Sequence, residues 1–209
     1  MFSLKQLSPT ITDMIRFDHS HVMVTFHQYT KDKAPSVKKA LAETICTALE
    51  IHATLEEEVF YPVMRQLDKG EPFVHKAEPE HNEMRRIISE LRRTSGSDPR
   101  HDKLILELMR DVIHHVADEE TTLLPQAETL MSKARLSELG VQMTKRRMEL
   151  VAPKAGKLAK SHAVGFSGST AAMVVGAASA LIALRTLVKK PSMPGANRTW
   201  KHANSTPGQ

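Results

Sequence analysis

Two stretches of this chain carry a histidine and a glutamate four residues apart inside an apolar helical stripe. In each, proline follows ten residues after the histidine. They are His52-Ala-Thr-Leu-Glu56 with Pro62 and His115-Val-Ala-Asp-Glu119 with Pro125, spaced 63 residues apart. Positions i and i+4 of a helix stand one turn apart on one face, so imidazole and carboxylate point the same way. The first stripe is Val37, Leu41, Ile45, Ala48, His52, Leu55 and Val59; the second is Leu104, Leu108, Val112, His115, Glu119 and Leu123. A helix with ionisable groups on the face it must bury needs partners for them, from facing helices or from a metal. Such a chain has to form a bundle.

The rest of the front half supplies the other members. A helix from about Ser8 to Tyr29 has the stripe Ile11, Ile15, His19, Val22 and Phe26. Another from about Pro79 to Arg93 has His81, Met84, Ile88 and Leu91. Pro35, the run Lys69-Gly70-Glu71-Pro72 and the loop Thr94 to Pro99 separate the four, and no strand alternation interrupts them. The reading is all-α: an up-and-down four-helix bundle over 8–132. A dimer of long coiled coils would need longer unbroken periodicity than these loops allow. A trailing helix packed on the bundle is expected over 133–153, with Leu136 to Leu150 as its body. A basic linker (154–168), an apolar helix (169–188) and a disordered tail (189–209) follow.

Charge is divided unevenly. The total of +5 conceals 16 basic and 22 acidic side chains in residues 1–130, against 13 and 2 in residues 131–209. The front domain is acidic, which argues against a nucleic-acid partner for the chain as a whole. A single cysteine, Cys46, excludes an internal disulfide and a thiolate-rich metal site, and is read as buried and inert. The first ten residues carry a single Lys and no apolar core, unlike a secretory signal, so a reducing, cytoplasmic setting is expected.

Each of the four helices therefore offers a stripe histidine, and two offer glutamate as well: His19, His52, Glu56, His81, His115 and Glu119. One buried histidine is ordinarily a hydrogen-bonded core residue. Six such groups in one layer are too many for a tetrahedral zinc and suit two first-row metals bridged by carboxylate. Imidazole and carboxylate without thiolate favour iron or manganese. His21, His27, His75, His101 and His114 lie off the stripes or in loops and read as solvated. Glu57, Glu58, Glu83 and Glu120 read as surface charge or partners of the ligands. Asp18 and Glu80, each directly before a stripe histidine, fit a ligand's partner and a helix-start acid equally.

The ordered set Asp-His, H-x3-E-x5-P, Glu-His, H-x3-E-x5-P resembles the hemerythrin-like family, the HHE cation-binding domain, over roughly residues 10–150. The resemblance implies a four-helix bundle with a non-haem diiron centre whose ligands are the six residues above, the two glutamates bridging two iron ions. It implies a protein that binds oxygen, nitric oxide or peroxide, or senses iron, in oxygen or stress responses. Where oxygen carriers of the family have a further histidine one turn after the helix-three ligand, this chain has Arg85. One metal is then expected to be under-coordinated. That leaves two rival functions, a peroxidase, catalase-like or nitric-oxide-reducing enzyme and an iron-dependent interaction module.

Ser161 to Leu184 contains no Lys, Arg, Asp or Glu. Its core, 169–188, is about as long as a helix crossing a bilayer of ~30 Å, with small residues at Ala172, Gly176 and Ala180. Basic residues flank it on both sides (Lys154, Lys157, Lys160; Arg185, Lys189, Lys190) and would suit anionic lipid. Contact with membrane lipid through 154–190, an anchor at the inner membrane, and a soluble helix docked on the bundle are the alternatives.

Overall fold

The computed structural model describes residues 9–67 and 73–165. Within them the chain is helical: α1 (Ile11–Gln28), α2 (Pro35–Leu55), a π turn (Glu56–Phe60), α3 (Tyr61–Leu67), α4 (Phe73–Arg93), α5 (Pro99–Asp118), a second π turn (Glu119–Leu123), α6 (Leu124–Leu130), α7 (Lys133–Val151), a 3-10 turn (Ala152–Lys154) and α8 (Ala155–Gly165). The backbone stays helical through both π turns, so α2 with α3 and α5 with α6 each make one long helix. With α1 and α4 they form the four-helix bundle.

Local chemistry explains the boundaries. Thr10 and Asp13 form a capping box at the start of α1, and Pro35 opens α2 at a position where the missing N–H costs nothing. Asp98 caps α5 through the Arg100 N–H, with Pro99 behind it, and Ser132 caps α7. α4 begins at Phe73 rather than near Pro79, and the proline sits inside the helix. Few apolar residues mark that first stretch, but Ala77, one turn before His81, is fully buried and extends the stripe.

The core comes in two apolar blocks. One gathers Ile11, Ile15, Leu55, Phe60, Met64 and Leu124 with Leu139 and Met143 of α7. The other gathers Val22, Phe26, Ile45, Leu49, Ile88, Leu108 and Val112. Each fully buried aliphatic or aromatic side chain here is worth about 1.5–3 kcal/mol. The six ionisable stripe residues fall between the blocks on every helix, between Ile15 and Val22 on α1 and between Val112 and Leu123 on α5.

α7 lies across α1 and α2. A Cβ at Gly140 would sit 2.3 Å from the Pro9 carbonyl oxygen, so only glycine permits this approach. The basic segment read as a linker, 154–168, is helical as far as Gly165. It lies along α2 through Lys157–Glu43 (2.9 Å) and Lys154–Glu50 (3.7 Å). Lys154 and Lys157 are thus tied to acids of α2, a complement that the segment's own composition does not disclose. Among the described residues, no helix is long and apolar enough to cross a membrane. The apolar segment 169–188 and the tail 189–209 lie outside the described residues.

Candidate metal centre

All six stripe residues meet in one layer. Glu56 and Glu119 are 0 % exposed, and His19, His52, His81 and His115 no more than 5 %. Their Nε2 atoms face the two carboxylates. His19 Nε2 is 3.2 Å and His115 Nε2 3.5 Å from Glu119 Oε2; His52 and His81 Nε2 are 3.3 and 3.4 Å from Glu56 Oε2. Two overlapping groups of potential ligand atoms result, each within 4.8 Å: His19, His52, Glu56 and Glu119, and Glu56, His81 and His115. Glu56 belongs to both.

The two glutamates owe their aim to the π turns. In each turn an N–H bonds the carbonyl five residues back, Tyr61 to Glu56 and Leu124 to Glu119. The proline of H-x3-E-x5-P follows directly. Its ring would collide with the carbonyl four residues earlier in a regular α-helix, which favours the wider turn. Thus the proline of the motif has a mechanical role.

Every imidazole is held from behind. His19 Nδ1 pairs with Glu120 (2.9 Å), His52 Nδ1 with Asp18 (3.4 Å), His81 Nδ1 with Glu57 (2.8 Å) and His115 Nδ1 with Glu80 (3.0 Å). None of these four outer acids holds the histidine of its own helix. Asp18 on α1 reaches α2, Glu57 after α2 reaches α4, Glu80 on α4 reaches α5, and Glu120 after α5 reaches α1, which closes a ring around the bundle. An Nδ1–H held on a carboxylate leaves the Nε2 lone pair facing inward, the tautomer a metal ligand needs.

The charges do not balance. Six carboxylates surround four imidazoles, and three basic side chains answer them: Arg147 on Asp18, Arg85 on Glu57 and Lys76 on Glu80. Burial alone would lower the histidines, yet the surrounding carboxylates raise His19 and His81 and push His115 up to about 10. Burial works against ionising Glu56, but His52, His115 and His81 hold it well below the usual carboxylate range. The layer draws in positive charge, whether protons or metal ions.

Four buried atoms here have no hydrogen-bond partner: His19 Nε2, His52 Nε2, Glu56 Oε1 and Glu119 Oε2. His19 Nε2 approaches Glu119 Oε2 at 3.2 Å and His52 Nε2 approaches the Glu56 carboxylate at 3.3 Å without hydrogen-bond geometry, as donors around a common ion would. Neutral imidazole and carboxylate fit a first-row divalent ion, and the residues present therefore fit a metal.

Some expectations need correction. Arg85 does not enter the layer; its guanidinium binds Glu57 at 2.7 Å from the outside. His101, read as solvated, is fully buried at the other end of the bundle, and His21 is half-buried. His27 and His114 are exposed as expected. Glu58 and Glu83 pair with surface arginines, while Glu57, Glu120, Asp18 and Glu80 are all partners of the histidines. Cys46 is buried, with its thiol pushed up to about 12 by that burial.

Tyr61 escaped the sequence reading. Its hydroxyl reaches Glu119 Oε1 at 2.8 Å and Glu56 Oε2 at 3.2 Å, and its ring stacks on His81. Burial and the two carboxylates raise it well above the usual phenol range, so it stays a donor. On an α-helix Tyr61 would point about 140° away from Glu56; the π turn brings it round. The motif proline was the available signal for that turn.

A small cavity adjoins the layer on the side of the second apolar block. Val22, Leu49, Ala53, Met84, Val112 and Val116 line it with the four imidazoles and Asp18.

Comparison with known proteins places this arrangement. The profile described as Hemerythrin HHE cation binding domain matches residues 10–127. A crystal structure of a hemerythrin HHE cation binding domain-containing protein from Mycobacterium kansasii superposes with a TM-score of 0.61 at 20 % identity, covering 79 % of this chain and 98 % of that one. At that identity the likeness concerns the fold. A DNA nickase from Nostoc sp. (strain PCC 7120) is 33 % identical over 113 residues, 54 % of this chain. This chain spans only 32 % of the nickase's length.

Proposed function

The chain belongs to the hemerythrin HHE cation-binding domain family, and from that premise we propose that it is a non-haem diiron protein that binds oxygen, nitric oxide or peroxide. His19, His52, Glu56, His81, His115 and Glu119 would hold the two ions, with Glu56 common to both groups of donors. The observation that carries this reading is the set of unpartnered buried Nε2 and carboxylate oxygen atoms facing one another in the layer. Iron there supplies Lewis acidity, redox chemistry and open coordination positions for a small ligand.

The protein's own groups set the conditions. The ring of outer acids fixes each Nδ1 as the protonated nitrogen, so that an ion displacing the proton from Nε2 would meet a lone pair aimed at the centre. The cavity walls, Val22, Leu49, Met84 and Val112, offer apolar contact to a diatomic molecule and exclude bulkier, strongly hydrated ones. Tyr61 holds its proton against the carboxylates, beside the three-donor group of Glu56, His81 and His115. That donor, next to the less crowded ion position, favours an enzyme with peroxide or nitric oxide as the second reading. The nickase lends no DNA-cutting role, because the shared part is a third of its length and the front domain is acidic.

Metal content and an optical spectrum of aerobically purified protein test the ion assignment; close to two irons per chain is expected, and a metal-free or single-ion protein overturns it. Anaerobic stopped-flow mixing with oxygen, peroxide and nitric oxide then separates the functions. A reversible ligand band supports binding; multiple turnovers support the enzyme.

A further inference from the structure

The family match ends at residue 127, yet α7 reaches the centre from beyond it. Arg147 of α7 places Nη1 and Nη2 each 2.6 Å from the two carboxylate oxygens of Asp18, a fork-to-fork pair. Asp18 Oδ2 in turn faces His52 Nδ1 at 3.4 Å.

This pair differs from its counterparts around the ring. The side chains of Glu57, Glu80 and Glu120 are 25–38 % exposed, and the cations on two of them, Arg85 and Lys76, are 36 and 59 % exposed. The Asp18 side chain is 10 % exposed and has both oxygens engaged by one rigid guanidinium. Water can replace an exposed cation with little change of geometry. It cannot replace a planar fork on a buried carboxylate, whose removal leaves Asp18 charged and unpaired beside His52.

We propose that α7 is part of the metal centre: Arg147 is a positioning residue that, through Asp18, aims His52 and so governs the ion position built from His19, His52, Glu56 and Glu119 separately from the one built from Glu56, His81 and His115. The inference rests on the two-ion reading above. It makes the docking of α7 a control on one ion position, so that displacing α7 empties that position first.

The test uses the full-length chain, stripped of metal and titrated anaerobically with Co(II), whose visible spectrum reports each binding step. Wild type should take two Co(II). In Arg147→Met, which keeps the stem and removes the fork, one step should weaken by about 10- to 100-fold, the range typical for a lost partner of a metal ligand, with the other within about twofold. Of four histidine Nδ1–H resonances shifted by Co(II), one should be lost and three kept. Arg147→Lys should show the same loss at one position with smaller size, and it carries the test should Arg147→Met fail to fold. Arg146→Met is the control, since Arg146 docks the same helix on Glu58 (2.5 and 3.1 Å) without touching Asp18. It should leave both steps in place. Parallel weakening of both steps in the Arg147 variants, no change in either, or an equal effect of Arg146→Met would each overturn the role of Arg147 while leaving the two-ion reading intact. Failure of wild type to bind Co(II) would remove the two-ion reading and this inference together.

Discussion

The bundle buries two clusters of histidine and acid, and they are finished differently. In the middle layer four histidines and six carboxylates leave inward-facing atoms without hydrogen-bond partners. Toward the loop end, Tyr29, Lys38, His101 and Asp102 close on one another. Tyr29 donates its hydroxyl proton to Asp102 (2.6 Å), which makes His101 Nδ1 the donor to the Tyr29 oxygen (2.7 Å). Lys38 binds both oxygens of Asp102 at 2.9 and 3.0 Å, so the charges cancel. One atom, His101 Nε2, stays unpartnered. Burial of a histidine says nothing about ligation. Convergence of several unpartnered donors together with uncancelled negative charge does.

The contrast should break first at the ligands. Replacing His52 or His115 with Ala should remove most of the metal and cost on the order of several kcal/mol once metal linkage is counted. Metal analysis and thermal melting measure this, and a variant that keeps wild-type iron and melting temperature disproves the assignment. Tyr29→Phe, at the other cluster, should cost about 1–3 kcal/mol by leaving His101 and Asp102 short of a partner. Its metal content should not change; a loss of iron would show the two clusters to be coupled.

Acid and alkali should sharpen the difference, because the clusters titrate with opposite sign. Burial holds His101 below its ordinary value. Its share of stability is complete above about pH 6.5 and is lost as pH falls below that. His115 lies near 10 in the metal-free fold, so the protonated layer contributes fully below about pH 6.5 and is lost as pH climbs toward about 10. Melting temperatures of stripped protein across this range should fall on both sides. His101→Gln should flatten the acid side, and metal loading should remove the alkaline decline while steepening the acid one, because protons compete with the ions for the imidazoles. The smallest effect belongs to His114→Ala. His114 is exposed although it is the neighbour of His115, and stability should stay within about 0.5 kcal/mol with full metal content. An essential His114 would mean that α5 is rotated in its register.

Much of this was legible before any coordinates. The period of 3.6 put His19, His52, Glu56, His81, His115 and Glu119 on buried faces, and the loop residues separated four helices. Asp18 and Glu80 stood beside ligands, but nothing in a one-helix pattern tells a helix-start acid from a histidine's partner. His101 looked solvated because it sits in the first turn of α5, where burial depends on the α1–α2 connection lying over it.

What the sequence determined by itself are directions within single helices, because covalent spacing sets the angle between two side chains on one axis. Pairings between helices were decided only by the tertiary structure. Each outer acid holds the histidine of another helix, Arg147 reaches Asp18 across 129 residues of chain, and Lys154 and Lys157 meet Glu50 and Glu43 of α2. Those contacts depend on how far each helix is rotated and slid against its neighbours. Packing of the two apolar blocks sets that rotation, and no period along one helix encodes it. Tyr61 lies between the two cases: its place follows from a local turn, but a π turn, whose five-residue step the ordinary helical period misreads.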